Sequence, residues 1–241
     1  MVNLRATEPL AVAATEAVQN GNLEVLTRLL RENPGLATAR IGDARISRTL
    51  LHAATDWPGH YPNNPATVDV LVAAGAEVDA RFAGPHSETA LHWAASSDDV
   101  EVLDALLDNG ADIEATGGVI GNGTPLADAV AFGQWQAAMR LVARGAEANL
   151  WQAAALGLLD RVKDQLADEP APPPTEVTNA FWHACHGSHQ STAEYLFERG
   201  ADLNWVGYDD LTPLDAAARS GAGELVEWLR LLGGRSATEL T

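Results

Sequence analysis

The sequence predicts an all-α solenoid built from about seven copies of a two-helix repeat. Three observations lead to this fold class. A Thr-x-Leu-His or Thr-Pro-Leu motif returns along the chain, as in TALHWAASSDDVEVLDALLDNGADIEA from Thr89. A Gly-Ala-Asp/Glu step closes most copies, and the second half of each copy spaces its apolar residues as one helix face does. Since one helix pair cannot bury both of its faces, the copies must stack on one another.

The copies follow each other with a mean period of about 33 residues. Aligned on a small residue of the first helix, they are marked by Ala17, Ala54, Ala94, Ala129, Ala153, Ala184 and Ala217. The predicted repeats occupy residues 10–45, 46–83, 84–118, 119–149, 150–175, 176–206 and 207–236 of a single domain, residues 1–241. The first and fifth copies lack the threonine motif but keep the second-helix pattern.

Residues within each copy explain where its helices begin, which face they bury and where they end. The threonine can cap the free amides of the first helix, and Pro125 and Pro213 suit the first helical position. The second helix of the third copy gathers Val100, Leu103 and Leu106 on one face. Left-handed caps are expected to end the second helices at Gly75, Gly110, Gly145, Gly200 and Gly233.

The motif and its period resemble the ankyrin repeat, whose T-P-L-H-x-A signature opens a β-turn and two antiparallel helices. The resemblance covers nearly the whole chain. It implies short β-turn fingers between helix pairs and a concave face lined by fingers and first helices. It also implies that His52 and His92, at the fourth place of the motif, tie neighbouring turns together.

Three segments depart from the regular repeat. DWPGHYPNN, from Asp56 to Asn64, inserts a loop with aromatic and histidine side chains between two helices. The segment from Asp168 to Glu176 holds four prolines and is predicted to be extended or polyproline, with no helix through it. The loop from Gly117 to Gly123 precedes a helix, but it lacks the GK[ST] ending of a phosphate-binding loop.

One column of the first helices carries polar residues where apolar ones are usual. The residue before the aligned alanine is Trp93, Asp128, Gln152 and His183 in four successive copies. A carboxylate and an imidazole beside an indole form a candidate acid/base pair, with Asp128 and His183 as its catalytic residues. The alternative is a hydrogen-bonded ladder that holds the stack together. The sequence leaves both interpretations open.

Further residues are candidates for ligand contact because of their loops and helix faces. Ser96 and His186 lie one turn beyond the polar column, on the same side of their helices. The candidate binding residues are Trp57, His60, Tyr61, His86, Trp93, Ser96, Gln152, His186, Tyr208 and Asp209. His183 and His186 share a helix face but His189 points away, so a metal site would need a third ligand such as Asp128, and no metal is expected. No cofactor is expected either. Cys185 takes the place of a small buried residue.

Composition argues against some classes of partner and location. Acidic residues outnumber basic ones 33 to 15, giving a net charge of -18, which argues against a nucleic-acid partner. The single cysteine, the lack of a secretory pattern and the lack of a long apolar run predict a cytoplasmic protein without a membrane segment. We expect a module that binds a protein or peptide in its concave groove. The alternative is a cofactor-independent acid/base enzyme (hydrolase, lyase, isomerase or cyclase) acting on a small, partly apolar molecule around Trp93, Asp128 and His183.

Overall fold

The structure, a computed structural model, describes residues 2–168 and 170–240. Within these residues, short helices follow one another in pairs joined by turns. The predicted all-α repeat fold is therefore confirmed. The chain forms two compact units, the first ending at Ala146 and the second beginning at Glu147. The extent of a single solenoid domain over residues 1–241 stays a prediction.

The first unit contains four helix pairs and a small sheet. Its helices are α1 (Pro9–Gln19), α2 (Leu23–Glu32), α3 (Leu50–Ala54), α4 (Asn64–Ala73), α5 (Ala90–Ser96), α6 (Val100–Asp108), α7 (Pro125–Ala131) and α8 (Trp135–Ala143). Fully buried leucines from both helices of a pair form the core, among them Leu50, Leu71, Leu91, Leu103 and Leu126. The core therefore runs between successive helix pairs, as stacking of the repeats requires.

A three-stranded sheet closes the N-terminal end of the first unit. β1 (Asn3–Leu4) pairs in parallel with β2 (Arg40–Gly42), and β2 pairs antiparallel with β3 (Ser47–Arg48). β2 and β3 are the two sides of the first finger. The sequence does not predict this sheet, because strands of two or three residues are too short to show an alternating pattern.

Threonine caps begin the first helices, and buried histidines link successive repeats. Thr49 and His52 form a reciprocal cap at α3, as Thr89 and His92 do at α5. His52 Nε2 lies 3.1 Å from the carbonyl oxygen of Glu88, and His92 Nε2 lies 3.2 Å from that of Gly123. The predicted structural role of both histidines is therefore confirmed: each imidazole bonds to the finger that follows.

The second unit contains three helix pairs and a terminal turn of helix. These are α9 (Leu150–Ala155) and α10 (Leu159–Ala167), α11 (Pro174–His186) and α12 (Gln190–Phe197), and α13 (Pro213–Arg219) and α14 (Gly223–Leu231), followed by α15 (Ala237–Leu240). A 3-10 turn, Tyr208–Asp210, forms the finger before α13. Phe181, Leu196 and Leu229 are fully buried in the core of this unit.

The prediction of a helix-free connector up to Glu176 is wrong for its last three residues. α11 begins at Pro174, so Thr175 and Glu176 are already helical. Proline fits this first position because its φ is already helical and its missing N–H has no acceptor there. Glu169, in the middle of the predicted connector, lies outside the described residues.

Glycine ends the second helices where the sequence predicts it. Gly75, Gly110, Gly145, Gly200 and Gly233 all adopt φ between 88° and 104°. A residue with a Cβ is strained in this left-handed region. Across the described residues, none of the helices combines the length and the apolar character that a membrane crossing requires.

Candidate functional site

An open cavity of about 280 Å³ lies on the first unit, where the ends of three first helices meet a finger. α5 contributes Trp93 and Ser96, one helical turn apart. Asp56 and Trp57 come from the inserted loop after α3. The remaining lining residues are Thr55, His86, Glu88, Ser97, Val119 and Phe132. Four predicted binding residues, Trp57, His86, Trp93 and Ser96, are thus brought to one cavity.

Glu88 is the buried acidic group of the cavity. It precedes the cap residue Thr89 and is only 4% exposed. Its Oε2 accepts a hydrogen bond from Trp93 Nε1 at 2.7 Å, and His86 Nδ1 lies 2.7 Å from the same oxygen. Because a buried carboxyl group is costly without partners, the hydrogen bond from Trp93 Nε1 fixes the orientation of Glu88.

Asp128, on α7, is completely buried beside Glu88. Its Oδ1 accepts a hydrogen bond of 3.2 Å from the backbone N–H of Ile120. Burial, and then the neighbouring carboxyl group of Glu88, raise the pKa of Asp128 to about 8, while the amide of Ile120 opposes the shift. At pH 7 Asp128 therefore holds a proton beside the carboxyl group of Glu88.

Gly118 makes room for the Asp128 carboxyl group. A Cβ built at Gly118 would lie 2.7 Å from Asp128 Oδ2 and 2.8 Å from Oδ1. A Cβ cannot lie so close to an oxygen atom, so the loop needs a glycine at position 118 as long as Asp128 keeps this position. The amide of Ile120 in this loop is already engaged by Asp128. An internal carboxyl group thus occupies part of the place where an external anion would bind.

Aromatic rings support the cavity from behind. The ring of Phe82 stacks on His86 with a centroid distance of 4.9 Å and packs against Trp93 at 5.4 Å. His52 meets Trp93 edge-on at 5.0 Å. Burial lowers the pKa of His52 to about 4, so this imidazole is neutral at pH 7. Two rings, those of Phe82 and His52, and one hydrogen bond hold Trp93, which leaves its position well defined.

A second, larger cavity of about 620 Å³ adjoins the first. It lies between two fingers, residues 82–87 and 117–122, and shares His86 and Val119 with the smaller cavity. Apolar side chains stand exposed where the small cavity opens: Trp57 is 80% exposed, Phe132 48% and Val119 45%. The two cavities and these side chains form one continuous surface, which we call the finger cleft.

Two further predicted residues of the inserted loop do not line the cavity. The Tyr61 hydroxyl accepts a hydrogen bond of 3.3 Å from Gln19 Nε2. The backbone N–H of His60 donates to Asp99 Oδ2 at 2.6 Å, and its Nε2 lies 3.0 Å from the carbonyl oxygen of Ser97. The hydrogen bonds of both residues anchor the loop that carries Trp57.

His183 and His186 lie in the second unit, on the inner side of α11. His183 Nδ1 donates to the carbonyl oxygen of Asn179 at 2.9 Å. Its ring packs between Trp151, at 4.5 Å, and Tyr208, at 5.2 Å. Burial lowers the pKa of His183 to about 4. Asp128 accepts a hydrogen bond from Ile120, and His183 donates one to Asn179. An acid/base pair between Asp128 and His183 stays a prediction.

The other predicted residues of the second unit have local partners. Gln152 forms a reciprocal cap with Asn149 at the start of α9. Tyr208 packs edge-on against Trp182 at 5.3 Å, and Asp209 forms an ion pair of 2.6 Å with Arg219. Cys185 is fully buried, and burial raises the pKa of its thiol. Throughout residues 2–168 and 170–240, no cluster of three or more His, Cys, Asp and Glu side chains has the arrangement of a metal site.

Six lining residues of the cavity are absent from the predicted binding residues: Thr55, Asp56, Glu88, Ser97, Val119 and Phe132. Glu88 stands at the base of a finger, where its carbonyl oxygen accepts a hydrogen bond from the backbone N–H of Phe82. Acidic residues ordinarily face solvent, and only the fold buries this one. Val119 and Phe132 lie in a loop and at a helix end, outside any periodic pattern. The signal for Glu88 that was present in the sequence is the spacing His86-x-Glu88 directly before the threonine cap.

Comparisons with known proteins agree on one kind of repeat. A family model described as ankyrin repeats (3 copies) matches residues 12–117 and 61–150, and one described as ankyrin repeats (many copies) matches residues 181–230. A crystal structure of the human ASB11 ankyrin repeat domain is similar with a TM-score of 0.54 at 22% identity. The match covers 92% of this chain and 97% of that one. At this identity the likeness concerns the fold.

Two curated nematode proteins are also similar in sequence. Ankyrin repeat and KH domain-containing protein CBG24701 of Caenorhabditis briggsae is 31% identical over 174 residues, 68% of this chain. Ankyrin repeat and KH domain-containing protein mask-1 of Caenorhabditis elegans is 40% identical over 50 residues, 21% of this chain. The matches span 6% and 2% of the length of these relatives, so they bear on the repeats and not on the whole proteins.

Proposed function

The chain belongs to the ankyrin repeat family, and from this premise we propose that it is a cytoplasmic binding module that recognises a protein or peptide through its concave groove. Ankyrin repeats are protein–protein interaction modules. We further propose that the finger cleft of the first unit is the principal contact region of that groove.

The observation that carries this proposal is the continuity of the finger cleft. Two open cavities of about 280 and 620 Å³ share His86 and Val119, which suits an elongated ligand better than a compact one. Exposed Trp57, Val119 and Phe132 surround the smaller cavity. Exposed apolar side chains gathered beside buried polar groups are typical of contact sites, where aromatic rings contribute most of the binding energy.

A random peptide library displayed on phage tests this proposal. Peptides selected on the whole chain would be synthesised, and their dissociation constants measured for the wild type and for Trp57→Ser and Phe132→Ser. We expect each substitution to weaken binding by about tenfold or more, as for an interface anchor. Leu231→Ser is the matched control, because Leu231 is 87% exposed but lies in α14 of the second unit.

Two results would contradict the proposal. One is the absence of any selected peptide that binds the folded chain in solution. The other is binding that Leu231→Ser weakens and the two substitutions in the finger cleft leave unchanged.

A second candidate function, an acid/base enzyme without a cofactor, is favoured by one specific observation. A protonated Asp128, with its pKa raised to about 8, lies beside a second carboxyl group that lines an open cavity. Such a pair can donate a proton to a substrate and accept one from it near neutral pH. The test is to incubate the chain with fractions of small, partly apolar metabolites and follow them by chromatographic retention and by mass, since an isomerisation leaves the mass unchanged. Conversion that Glu88→Gln abolishes supports an enzyme, and binding without conversion favours the module.

A further inference from the structure

The smaller cavity of the finger cleft has an unusual balance of charge. Among the described residues that line it, Asp56 and Glu88 are acidic and none is lysine or arginine. The guanidinium of Arg48 pairs with Asp56 from outside the lining. The buried acid Glu88 is approached by the indole and the imidazole of Trp93 and His86 but by no fixed cation.

The lining also presents aromatic faces around the same acid. Trp57, Trp93 and Phe132 all border the cavity, and the first of them is 80% exposed. An aromatic ring attracts a cation through the negative charge of its face. Aromatic walls around a carboxylate favour a flat cation that can stack and donate hydrogen bonds at the same time.

We propose that this cavity binds an arginine side chain supplied by the protein or peptide partner. The inference rests on the proposed binding function and names the group that the partner inserts. A guanidinium is flat, always charged and weakly hydrated, so it enters an aromatic cavity more readily than an ammonium does. It would lie between the indoles of Trp57 and Trp93 and point its N–H groups toward Glu88.

An unpaired polar atom on the lining supports a donor-rich ligand. Ser96 Oγ has no hydrogen-bond partner among the residues that the structure describes. Buried polar atoms are ordinarily paired, so an unpaired atom on a cavity lining suggests that a ligand completes the arrangement. Arginine brings five N–H donors in a fixed geometry.

The size of the cavity agrees with one side chain. About 280 Å³ lies at the lower end of the roughly 300–1,000 Å³ typical of small-molecule sites. The larger adjoining cavity, about 620 Å³, would take the neighbouring residues of the partner. The net charge of -18 also draws a basic segment toward the chain.

The test uses three short probes on the whole chain, whose indole N–H signals are followed by NMR. The probes are acetyl-Gly-Arg-Gly-amide, the same peptide with citrulline, which is neutral and of the same shape, and the same peptide with lysine. Trp57→Phe and Trp93→Phe assign the two indole signals of interest. We expect the arginine peptide to shift both signals with a saturable dependence, and the citrulline peptide to bind about tenfold or more weakly.

Two substitutions locate the effect. Glu88→Gln keeps an acceptor for Trp93 Nε1 but removes the acid, and Trp57→Ala removes a ring that is 80% exposed. Both substitutions should weaken binding of the arginine peptide by about tenfold. Glu101→Gln, which removes an exposed acid of α6, should leave this affinity unchanged.

Three results would overturn the inference: equal binding of arginine and citrulline peptides, binding of the lysine peptide as tight as that of arginine, or the absence of shifts at Trp57 and Trp93. The proposed binding function is tested separately from the arginine site. If library peptides bind and depend on Trp57 while these probes show no preference for arginine, the module stands and the arginine site does not.

Discussion

At the scale of single residues, burial shifts the pKa of one aspartate and the pKa values of two histidines in opposite directions. The pKa of Asp128 is raised to about 8, and the pKa values of His52 and His183 are lowered to about 4, in each case mainly by burial. Every one of these groups is neutral in the folded chain at pH 7. Burial thus favours the neutral form of each of these three side chains, because the charged form would lose its contact with water.

The first prediction concerns the pH dependence of stability. The folded chain holds the Asp128 proton up to about pH 8, whereas an unfolded aspartate loses it near pH 3.9. Stability from this group is therefore lost as the pH rises toward 8. The unfolded histidines titrate near 6.5, so their opposite contribution is confined to lower pH. The free energy of unfolding, measured by urea denaturation, should fall between pH 6.5 and 8 by on the order of 1 kcal/mol per pH unit.

Asp128→Asn should remove this fall. The amide resembles a protonated carboxyl group and still accepts the hydrogen bond from Ile120. We expect the variant to be at least as stable as the wild type at pH 8. Asp160→Asn, at a side chain that is 97% exposed, should keep the wild-type profile. A wild-type midpoint that stays constant between pH 6.5 and 8 would show that Asp128 is ionised in the folded chain.

A second prediction concerns the contact between Gly118 and Asp128. Gly118→Ala places a methyl group 2.7 Å from a buried carboxyl oxygen, so we expect a loss of about 1–3 kcal/mol in the free energy of unfolding. Gly223→Ala is the control, because a Cβ there meets nothing within 4 Å. In an Asp128→Ala background the loss at Gly118 should shrink. An equal loss in both backgrounds would mean that the carboxyl group is not what resists the methyl group.

At the scale of elements, the beginnings of the first helices have caps of unequal strength. Thr212 accepts from the backbone N–H of Asp215 and donates to its carboxylate at 2.9 Å. Thr124, at the corresponding place before α7, makes no capping hydrogen bond through its side chain. The same residue type in the same motif therefore contributes differently to the two helices.

The third prediction follows from this difference. Thr212→Val should lower the free energy of unfolding by about 1–2 kcal/mol, because it leaves helical amides without an acceptor. Thr124→Val should cost less. Urea denaturation of both variants, beside the wild type, measures the contrast. Equal losses would indicate that the hydroxyl groups matter for something other than the cap.

The helices and caps were predictable from the sequence because they depend on neighbours within one repeat. Thr49 and His52 cap α3 three residues apart, and their chemistry is visible in the motif. The sheet and the start of α11 were not predicted, since one needs partners far along the chain and the other depends on how a proline segment ends. Likewise, Trp93 and Ser96 are readable as one helix face, but the burial of Glu88 needs three repeats in place.

At the scale of the whole molecule, the net charge of -18 opposes compaction. Favourable ion pairs oppose this repulsion locally. Arg140 and Arg144 both bind Asp104, at 2.8 and 2.7 Å, and Arg144 also reaches Asp108. Because exposed pairs contribute little and the excess of acidic residues extends over the chain, we expect repulsion to dominate.

The fourth prediction is that salt stabilises the chain. Raising sodium chloride from about 0.01 to about 0.2 M shortens the Debye length from about 30 to less than 10 Å and screens the repulsion. The thermal midpoint should rise by several degrees at neutral pH. A non-ionic osmolyte at the same osmolality separates screening from general exclusion effects. A fall in the midpoint would mean that the ion pairs outweigh the repulsion.

The close approach of Gly118 to Asp128 also limits the order in which this chain can evolve. A larger residue at position 118 is tolerated only after the acid at position 128 has been replaced by a shorter side chain. If position 118 changes first, the protein that carries this single substitution is destabilised. Lineages that keep the buried acid are thereby committed to a glycine in the neighbouring loop. The two positions should change together among descendants of a common ancestor, even though they lie in different elements of the repeat.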